Sequence, residues 1–337
     1  MNSQPPTTTG LPRPGSAVAA HASHGLQHLP LPLFAAPMGI GGLGLAWREA
    51  AHVLGAPGVV GEALLLAAGL AWLLIVGLHL LRMLRHPEAI GGDLRHPVRS
   101  AFAGAATIGL MILAGGLLPY ARDAAAAIWL VAAGAHVAIA VWTVRGLIRA
   151  PREAASLTPP LLIPLVGNIL APVIGAKLGF DVLSWMLFGL GALLWVLLQP
   201  LLLGRLITGP ALPARLRPTL AILLAPPSVG ALALAGLTHG FGTAPLIALG
   251  LAVFIALVLL SLLPDLASGP FAMSWWGWTF PSAAFAIALQ QAAAAHPVAW
   301  QAPLLWAVLV AASAILAVVA GATLRAAAQG HLLRPEG

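Results

Sequence analysis

Long, nearly uninterrupted runs of apolar residues recur along this chain and constrain its fold more than any other feature. Residues 64–81 and 246–263 are examples, and neither run contains a charged side chain. About 20 such residues suffice for a helix to cross the hydrocarbon core of a bilayer. Because the runs do not alternate apolar with polar residues, they indicate membrane helices and not the strands of a membrane barrel. The sequence therefore predicts an all-α integral membrane protein.

The composition excludes several other classes of protein. Of the 337 residues, 60% are hydrophobic and 7% are charged, whereas a soluble domain carries about 25% charged residues. The net charge of +7 is spread thinly between apolar blocks, so nucleic acid is not an expected partner. The chain has no cysteine, which excludes disulfides and thiolate chemistry.

Ten apolar segments organise the chain between two polar ends. Residues 1–32 are rich in Pro, Ser, Thr, Gly and His and lack the basic start and apolar core of a signal peptide, so we expect a flexible N-terminal tail. Residues 33–328 form the expected transmembrane domain, and residues 329–337 form a short C-terminal tail. The predicted spans are 34–54, 61–83, 99–118, 124–148, 160–178, 181–204, 218–238, 243–263, 274–294 and 302–326.

Positive charge is distributed unevenly between the two ends of these spans. The two tails and the connections after the second, fourth and sixth spans hold thirteen arginines, whereas the opposite side holds only Arg48, Arg122 and Lys177. Positive residues concentrate on the cytoplasmic side of membrane proteins. We therefore expect both termini to face the cytoplasm, although the connection after the eighth span carries only Asp265.

Helix-breaking residues alternate along the ten segments. The odd segments contain interior prolines or, in the third, several glycines, whereas the even segments are smooth inside. Broken helices at membrane depth are tolerated where protein or a water-filled cavity surrounds them. The pattern favours five helical hairpins, with an inner ring of kinked helices around a path and an outer ring that faces lipid, although Pro and Gly are common in membrane helices generally. The prolines expected to kink the pore-lining helices are Pro37, Pro164, Pro172, Pro226, Pro227 and Pro281.

Few side chains within the spans carry chemistry. Transporters usually place ionisable groups inside the helix bundle, and here the interior candidates are His79 and His136, which we interpret as packing residues. No histidine or carboxylate spacing indicates a metal site, nothing indicates a cofactor, and no acid–base pair indicates an enzyme. The glycines at 39, 41, 42 and 44 indicate close helix packing and not a phosphate-binding loop.

Small polar side chains within the odd spans, and arginines at the cytoplasmic end of the spans, are the candidates for lining an anion path. Each polar candidate could instead form an interhelical hydrogen bond, which is the more ordinary role. Half-helix N-termini and a ring of arginines at a pore mouth favour anions over cations. The possible pore-lining residues are Thr107, Asn168, Ser228 and Thr279, and the cytoplasmic-mouth candidates are Arg95, Arg99, Arg215 and Arg217.

Four sequence stretches carry a resemblance to a known family. Residues 271–281 (FAMSWWGWTFP), 37–47 (PMGIGGLGLAW), 96–102 (HPVRSAF) and 217–226 (RPTLAILLAP) occur in the order and spacing found in the bacterial tellurite-resistance protein TehA and the slow anion channels of plant guard cells. The chain resembles this family over roughly residues 33–328. The resemblance implies ten helices in five hairpins, with a quasi-fivefold inner ring of kinked helices around a central pore in each subunit of a homotrimer. It also implies a phenylalanine plug at Phe280.

The resemblance also implies the function. We expect an anion channel of the bacterial inner membrane that passes small inorganic or carboxylate anions and is closed by Phe280. Pro281 is expected to disfavour helical geometry at Phe280 and to aim its ring into the pore. The alternative is a proton-coupled secondary transporter for C4-dicarboxylates or tellurite, in which His136 would be the obvious titrating group.

Overall fold

The computed structural model describes residues 25–96, 98–150 and 153–333. Within these ranges the chain forms helices and connecting turns, with no β-strand. The α-helices are α1 (Ala35–Val53), α2 (Gly58–Arg85), α3 (Pro87–Arg95), α4 (Ala103–Leu117), α5 (Arg122–Arg149), α6 (Leu162–Val166), α7 (Ala171–Gly175), α8 (Asp181–Thr208), α9 (Ala225–Leu237), α10 (Thr243–Ser261), α11 (Leu263–Ala267), α12 (Thr279–Ala295) and α13 (Gln301–Ala328).

Short 3₁₀ helices lead into the odd segments, where the sequence places proline or small residues. Pro32, Pro160 and Pro218 lie at the start of three of them, positions at which the missing proline amide costs no hydrogen bond. The 3₁₀ helices before the odd segments are Leu31–Phe34, Ser100–Phe102, Pro159–Leu161, Arg217–Leu224 and Met273–Trp278. In the fifth segment a further 3₁₀ turn, Gly167–Leu170, separates α6 from α7.

Seven helices of the described chain are long and apolar enough to cross a membrane. They are α2, α5, α8, α10, α13 and the stretches Ser100–Leu117 and Arg217–Leu237. Helices also occupy the first, fifth and ninth predicted spans, but α1, the interrupted Pro159–Gly175 and α12 are shorter or less apolar. The protein is therefore all-helical and crosses the membrane several times.

Burial divides these helices into two sets. In Ser100–Leu117 and Arg217–Leu237, 67% of the most apolar stretch is buried, against 17–33% in α2, α5, α8, α10 and α13. The buried helices contact one another: α1 packs on α4 and α12, α12 packs on α9, and α7 packs on both α4 and α9. The exposed helices pack on the outside, with apolar side chains directed where lipid would lie. We call 31–53, 100–117, 159–175, 217–237 and 273–295 the buried segments.

Glycines allow the helices to approach closely. A Cβ atom added at Gly44 would lie 2.8 Å from Cγ of Leu65, and one at Gly61 would lie 2.9 Å from the carbonyl oxygen of Gly44. A Cβ at Gly39 would collide with the Thr279 hydroxyl of α12. These contacts confirm the interpretation of the glycine cluster in α1 as a helix-packing surface.

Packed structure begins within the predicted N-terminal tail. Residues 25–32 belong to the predicted N-terminal tail, yet Leu29 and Leu31 are buried and the Gln27 carbonyl accepts a hydrogen bond from Nε of Arg82 at 3.0 Å. The Gly25 amide donates to the Leu333 carbonyl at 3.2 Å, so the two ends of the described chain meet. Residues 1–24 and 334–337, with Arg13, His21, His24 and Arg334, lie outside the described residues, as does Arg152.

Candidate functional site

A narrow apolar cavity lies between the buried segments, and we call it the central cavity. Its volume is about 60 Å³. Every buried segment contributes to its wall, and no charged side chain is among the described residues that line it. The lining includes Met38 from the first segment, Phe102 and Ile108 from the third, Val166 and Leu170 from the fifth, Pro226 and Val229 from the seventh, and Phe280 and Pro281 from the ninth.

Phe280 lies in the first turn of α12, with its side chain in the wall of the central cavity. It is 8% exposed. The ring also reaches α1, because a Cβ added at Gly42 would lie 2.9 Å from Cδ2 of Phe280. The expectation that Pro281 breaks the helix at Phe280 is wrong. Residues 279–281 are helical, because a proline in the first turn lacks only an amide that has no partner there.

A wider cavity opens beyond the central cavity at the arginine-rich end, and we call it the inner mouth. Its volume is about 540 Å³, it shares Phe102 with the central cavity, and Arg99 and Arg215 line it. Nη1 of Arg99 is 2.9 Å from Oδ1 of Asp93, so this guanidinium is already paired. Of the other predicted mouth residues, Arg217 donates to the Leu212 carbonyl at 3.3 Å, and Arg95 lines a separate groove on the side of the molecule.

A third cavity, the outer mouth, lies at the opposite end of the buried segments. Its volume is about 240 Å³, and its charged lining residues are Arg48, Glu49 and Lys177. Arg48 is held by two hydrogen bonds to the Glu62 carboxylate, of 2.8 and 2.7 Å, and donates to the carbonyl of Gly116 at 3.0 Å. Lys177 forms no ion pair with any described residue.

The four polar candidates lie beside the central cavity and are absent from its described lining. Thr107 donates to the Gly104 carbonyl at 2.9 Å, Ser228 to the Leu224 carbonyl at 2.8 Å, and Thr279 to the Trp276 carbonyl at 2.8 Å. Asn168 is 1% exposed and its amide atoms have no hydrogen-bond partner among the described residues. Three of these side chains therefore bond to their own helices.

Two of the six predicted kink prolines reach the central cavity. Pro226 and Pro281 line the central cavity, whereas the other four are absent from its described lining. Pro164 instead packs against the third segment, since a Cβ added at Gly104 would lie 3.0 Å from its Cα atom. Each of these prolines lies at or near a junction between a 3₁₀ turn and an α-helix or in the first turns of one.

His136 is fully buried between the fourth and third segments. Its Nδ1 atom lies 2.7 Å from the Thr107 hydroxyl oxygen. The hydroxyl has one proton, and it is donated to the Gly104 carbonyl. Both contacts are satisfied when Nδ1 carries hydrogen and donates to Thr107. His136 is absent from the described lining of the central cavity, and the described residues contain no cluster of potential metal ligands.

Two residues that shape the surroundings of Phe280 and the central cavity were not among the site residues expected from the sequence. Phe102 separates the central cavity from the inner mouth and is 2% exposed. Gly42 supplies the space occupied by the Phe280 ring. Phe102 stands in one of the stretches that carry the resemblance, and Gly42 stands in another. Neither position is distinguishable by composition from an ordinary core phenylalanine or a packing glycine.

A family model and several known proteins match most of this chain. Residues 28–324 match the SLAC1 family model, described as voltage-dependent anion channel. The chain is 26% identical to the S-type anion channel SLAH3 of Arabidopsis thaliana over 78% of its own length and 43% of the relative. It is 26% identical to a tellurite resistance protein TehA homolog of Haemophilus influenzae, over 77% of its own length and 79% of the relative.

The plant relatives are considerably longer than this chain. The guard cell S-type anion channel SLAC1 of Arabidopsis thaliana is 25% identical over 65% of this chain and 40% of its own length. The chain thus spans less than half the length of the two plant relatives. The family model covers nearly all of the described helices, and this chain is accordingly a member of the SLAC1 and TehA family of membrane anion channels.

Proposed function

We propose that this protein is a passive anion channel whose pore runs through a single subunit and is closed by Phe280. The observation that carries the proposal is the order of three cavities along the buried segments. Earlier residues of these segments line the central cavity and later residues line the outer mouth, while the inner mouth, at their beginnings, shares Phe102 with the central cavity. The volume is about 240 Å³ in the outer mouth, about 540 Å³ in the inner mouth and about 60 Å³ in the central cavity. Phe280 lies in the wall of the narrow part.

The cyclic order of helix contacts supports five hairpins around this path. The first buried segment contacts the third, the third contacts the fifth, the fifth contacts the seventh, the seventh contacts the ninth, and the ninth returns to the first. Each also packs on the exposed helix that follows it. Under this proposal ten helices cross the membrane, and the interrupted helices form a quasi-fivefold ring that excludes lipid from the path.

Anion selectivity follows from charge at the mouths and neutrality between them. Arg99 and Arg215 line the inner mouth, whose described lining contains no carboxylate, and Arg48 and Lys177 line the outer mouth together with Glu49. Positive charge at a mouth raises the local concentration of anions. A neutral narrow passage lets them leave again, since it holds no opposite charge that would trap them.

The gate is tested by shortening Phe280. The ring blocks by volume and by dewetting of an apolar passage, so Phe280→Ala should raise basal anion conductance by about tenfold or more, and Phe280→Leu should give a smaller increase. Phe254→Ala is the matched control, because Phe254 is 62% exposed on α10, away from the cavity. Currents are measured in planar bilayers with chloride or nitrate. A well-folded Phe280→Ala protein that conducts no more than the parent contradicts the gate.

The coupled-transporter alternative has less support. It requires a titrating group on the transport path, and the described lining of the central cavity contains none. His136, the candidate for this role, lies outside that lining and donates to Thr107.

We further propose that the protein lies in a bacterial inner membrane as a homotrimer, with both termini in the cytoplasm and with residues 33–328 as the channel domain. The arginine asymmetry supports the orientation. The similarity to the tellurite resistance protein TehA homolog supports the compartment. The trimer rests on the family resemblance, and the mass of the purified complex in a mild detergent tests it.

A further inference from the structure

A groove on the side of the molecule is separate from the proposed ion path. It lies between the end of α3 and the last two turns of α5, has a volume of about 300 Å³, and shares no described lining residue with the central cavity or the inner mouth. Ser100 and Leu161 close its inner wall. We call it the lateral groove.

Three arginines line the lateral groove: Arg95 from α3, and Arg145 and Arg149 from α5. Arg145 and Arg149 are four residues apart and therefore share one face of their helix. Among the described residues none of the three forms an ion pair, and no carboxylate lines the groove. Nearby arginines differ: Arg82 and Arg99 are both paired with Asp93. The groove thus holds concentrated, uncompensated positive charge.

The surface next to these arginines is apolar and exposed. On α5, Val141 is 62% exposed, Ile148 is 75% exposed and Trp142, which lines the groove, is 40% exposed. Tryptophan favours the interface between lipid and water, because its ring is apolar and its N–H is polar. A ligand that fills this groove therefore meets cationic donors at one end and hydrocarbon at the other.

We propose that the lateral groove binds the phosphate group of an anionic lipid. Guanidinium groups bind phosphate oxygens through paired hydrogen bonds, and basic pockets between membrane helices bind the head groups of anionic lipids. The acyl chains lie along the exposed face of α5 that precedes Arg145, beside Val141 and Trp142. A free phosphate ion satisfies the arginines equally but leaves that apolar face unused, so the lipid is the ligand that the groove fits.

The proposal is tested with purified protein in a neutral detergent. Fluorescently labelled phosphatidylglycerol is titrated and its binding followed by anisotropy, with unlabelled phosphatidylglycerol, phosphatidylcholine and inorganic phosphate as competitors. We expect phosphatidylglycerol to compete at least about tenfold better than phosphatidylcholine, and inorganic phosphate to compete far less well. Arg145→Gln/Arg149→Gln should weaken the binding of phosphatidylglycerol by about tenfold or more.

Two variants make this result specific to the groove. Arg85→Gln removes the same charge from an exposed residue at the same end of the molecule, outside the groove, and should leave affinity within about twofold of the parent. Arg95→Gln removes a guanidinium from the opposite wall and should weaken binding in a chain whose α5 is unchanged. The proposal is overturned if phosphatidylcholine competes equally, if Arg85→Gln weakens binding as much as the groove variants, or if inorganic phosphate displaces the probe as well as phosphatidylglycerol does.

Discussion

At the scale of single residues, the contact between Gly42 and Phe280 links α1 to the proposed gate. The space above Gly42 is filled by the Phe280 ring, and the next atom that a Cβ at this position would meet is Cβ of Ala283, at 3.6 Å. A distance of 3.6 Å is an ordinary van der Waals contact, so the Phe280 ring is the main obstacle to a side chain at position 42. A double-mutant cycle on Gly42 and Phe280 therefore measures how strongly the two positions are coupled.

The pair gives a prediction about stability. Gly42→Ala should destabilise the parent by about 1–3 kcal/mol, because the new methyl group overpacks against the ring. In the Phe280→Ala background, Gly42→Ala should leave the free energy of unfolding almost unchanged, because the ring that it would overpack is absent. Thermal unfolding of the four proteins in one detergent measures this. Equal costs of Gly42→Ala in the two backgrounds would mean that the ring does not occupy the space above Gly42.

His136 gives a second prediction at this scale. Its imidazole is fully buried and lies against Thr107, but it is absent from the described lining of the central cavity. His136→Asn retains a donor near Thr107, and we expect it to lower stability by about 1–3 kcal/mol through lost packing. Anion conductance should persist, without dependence on a proton gradient. Loss of all transport in a folded His136→Asn protein would instead favour the coupled transporter.

At the scale of helices, one ion network ties the arginine-rich end together. Nη1 of Arg82 on α2 is 2.7 Å from Oδ2 of Asp93 on α3, and Arg99 at the start of the third segment is 2.9 Å from the other carboxylate oxygen. Arg82 also donates to the Gln27 carbonyl. A single carboxylate, 4% exposed at its side chain, thus joins three parts of the chain.

Removing that carboxylate should loosen this end of the molecule. Asp93→Asn leaves two arginines without their partner, one of them 3% exposed at its side chain, and breaking a buried pair in this way costs about 3–5 kcal/mol. We expect a lower midpoint of thermal unfolding. Glu88→Gln is the control on the same helix, because the Glu88 side chain is 73% exposed, and it should change stability by less than about 0.5 kcal/mol. Comparable losses in both variants would contradict a structural role for the network.

At the scale of the whole molecule, the distribution of arginine predicts which end faces the cytoplasm. The natural chain has no cysteine, so single cysteines report accessibility without background. Ala211→Cys lies in the exposed connection after α8, at the arginine-rich end, and Gly240→Cys lies in the exposed connection after α9. In intact cells a membrane-impermeant maleimide that reaches the periplasm should label Gly240→Cys and spare Ala211→Cys. The reverse pattern would invert the proposed orientation.

Much of the architecture is readable from the sequence. The continuous apolar runs predict helices, because a backbone in hydrocarbon must satisfy its own hydrogen bonds, and helices occupy all ten predicted segments. The alternation of broken and smooth segments matches the alternation of buried and exposed helices. The stretches 37–47 and 271–281 indicate the family that the family model also matches. Each of these features depends on which residue types follow one another along the chain, and that order can be read from the sequence without knowing which residues pack together.

Which side chains face the central cavity was decided only by the tertiary structure. Gly167 lines the cavity and its neighbour Asn168 does not, a difference of one residue and so of about 120° around the 3₁₀ turn that contains both. The sequence of a helix with one solvated face shows which face that is through an amphipathic pattern. The stretches of the buried segments that line the central cavity are mostly buried and mostly apolar, so no such pattern marks the face that meets the cavity. Their rotation is fixed by close packing, such as that of Gly42 against Phe280, between residues that lie far apart in the sequence.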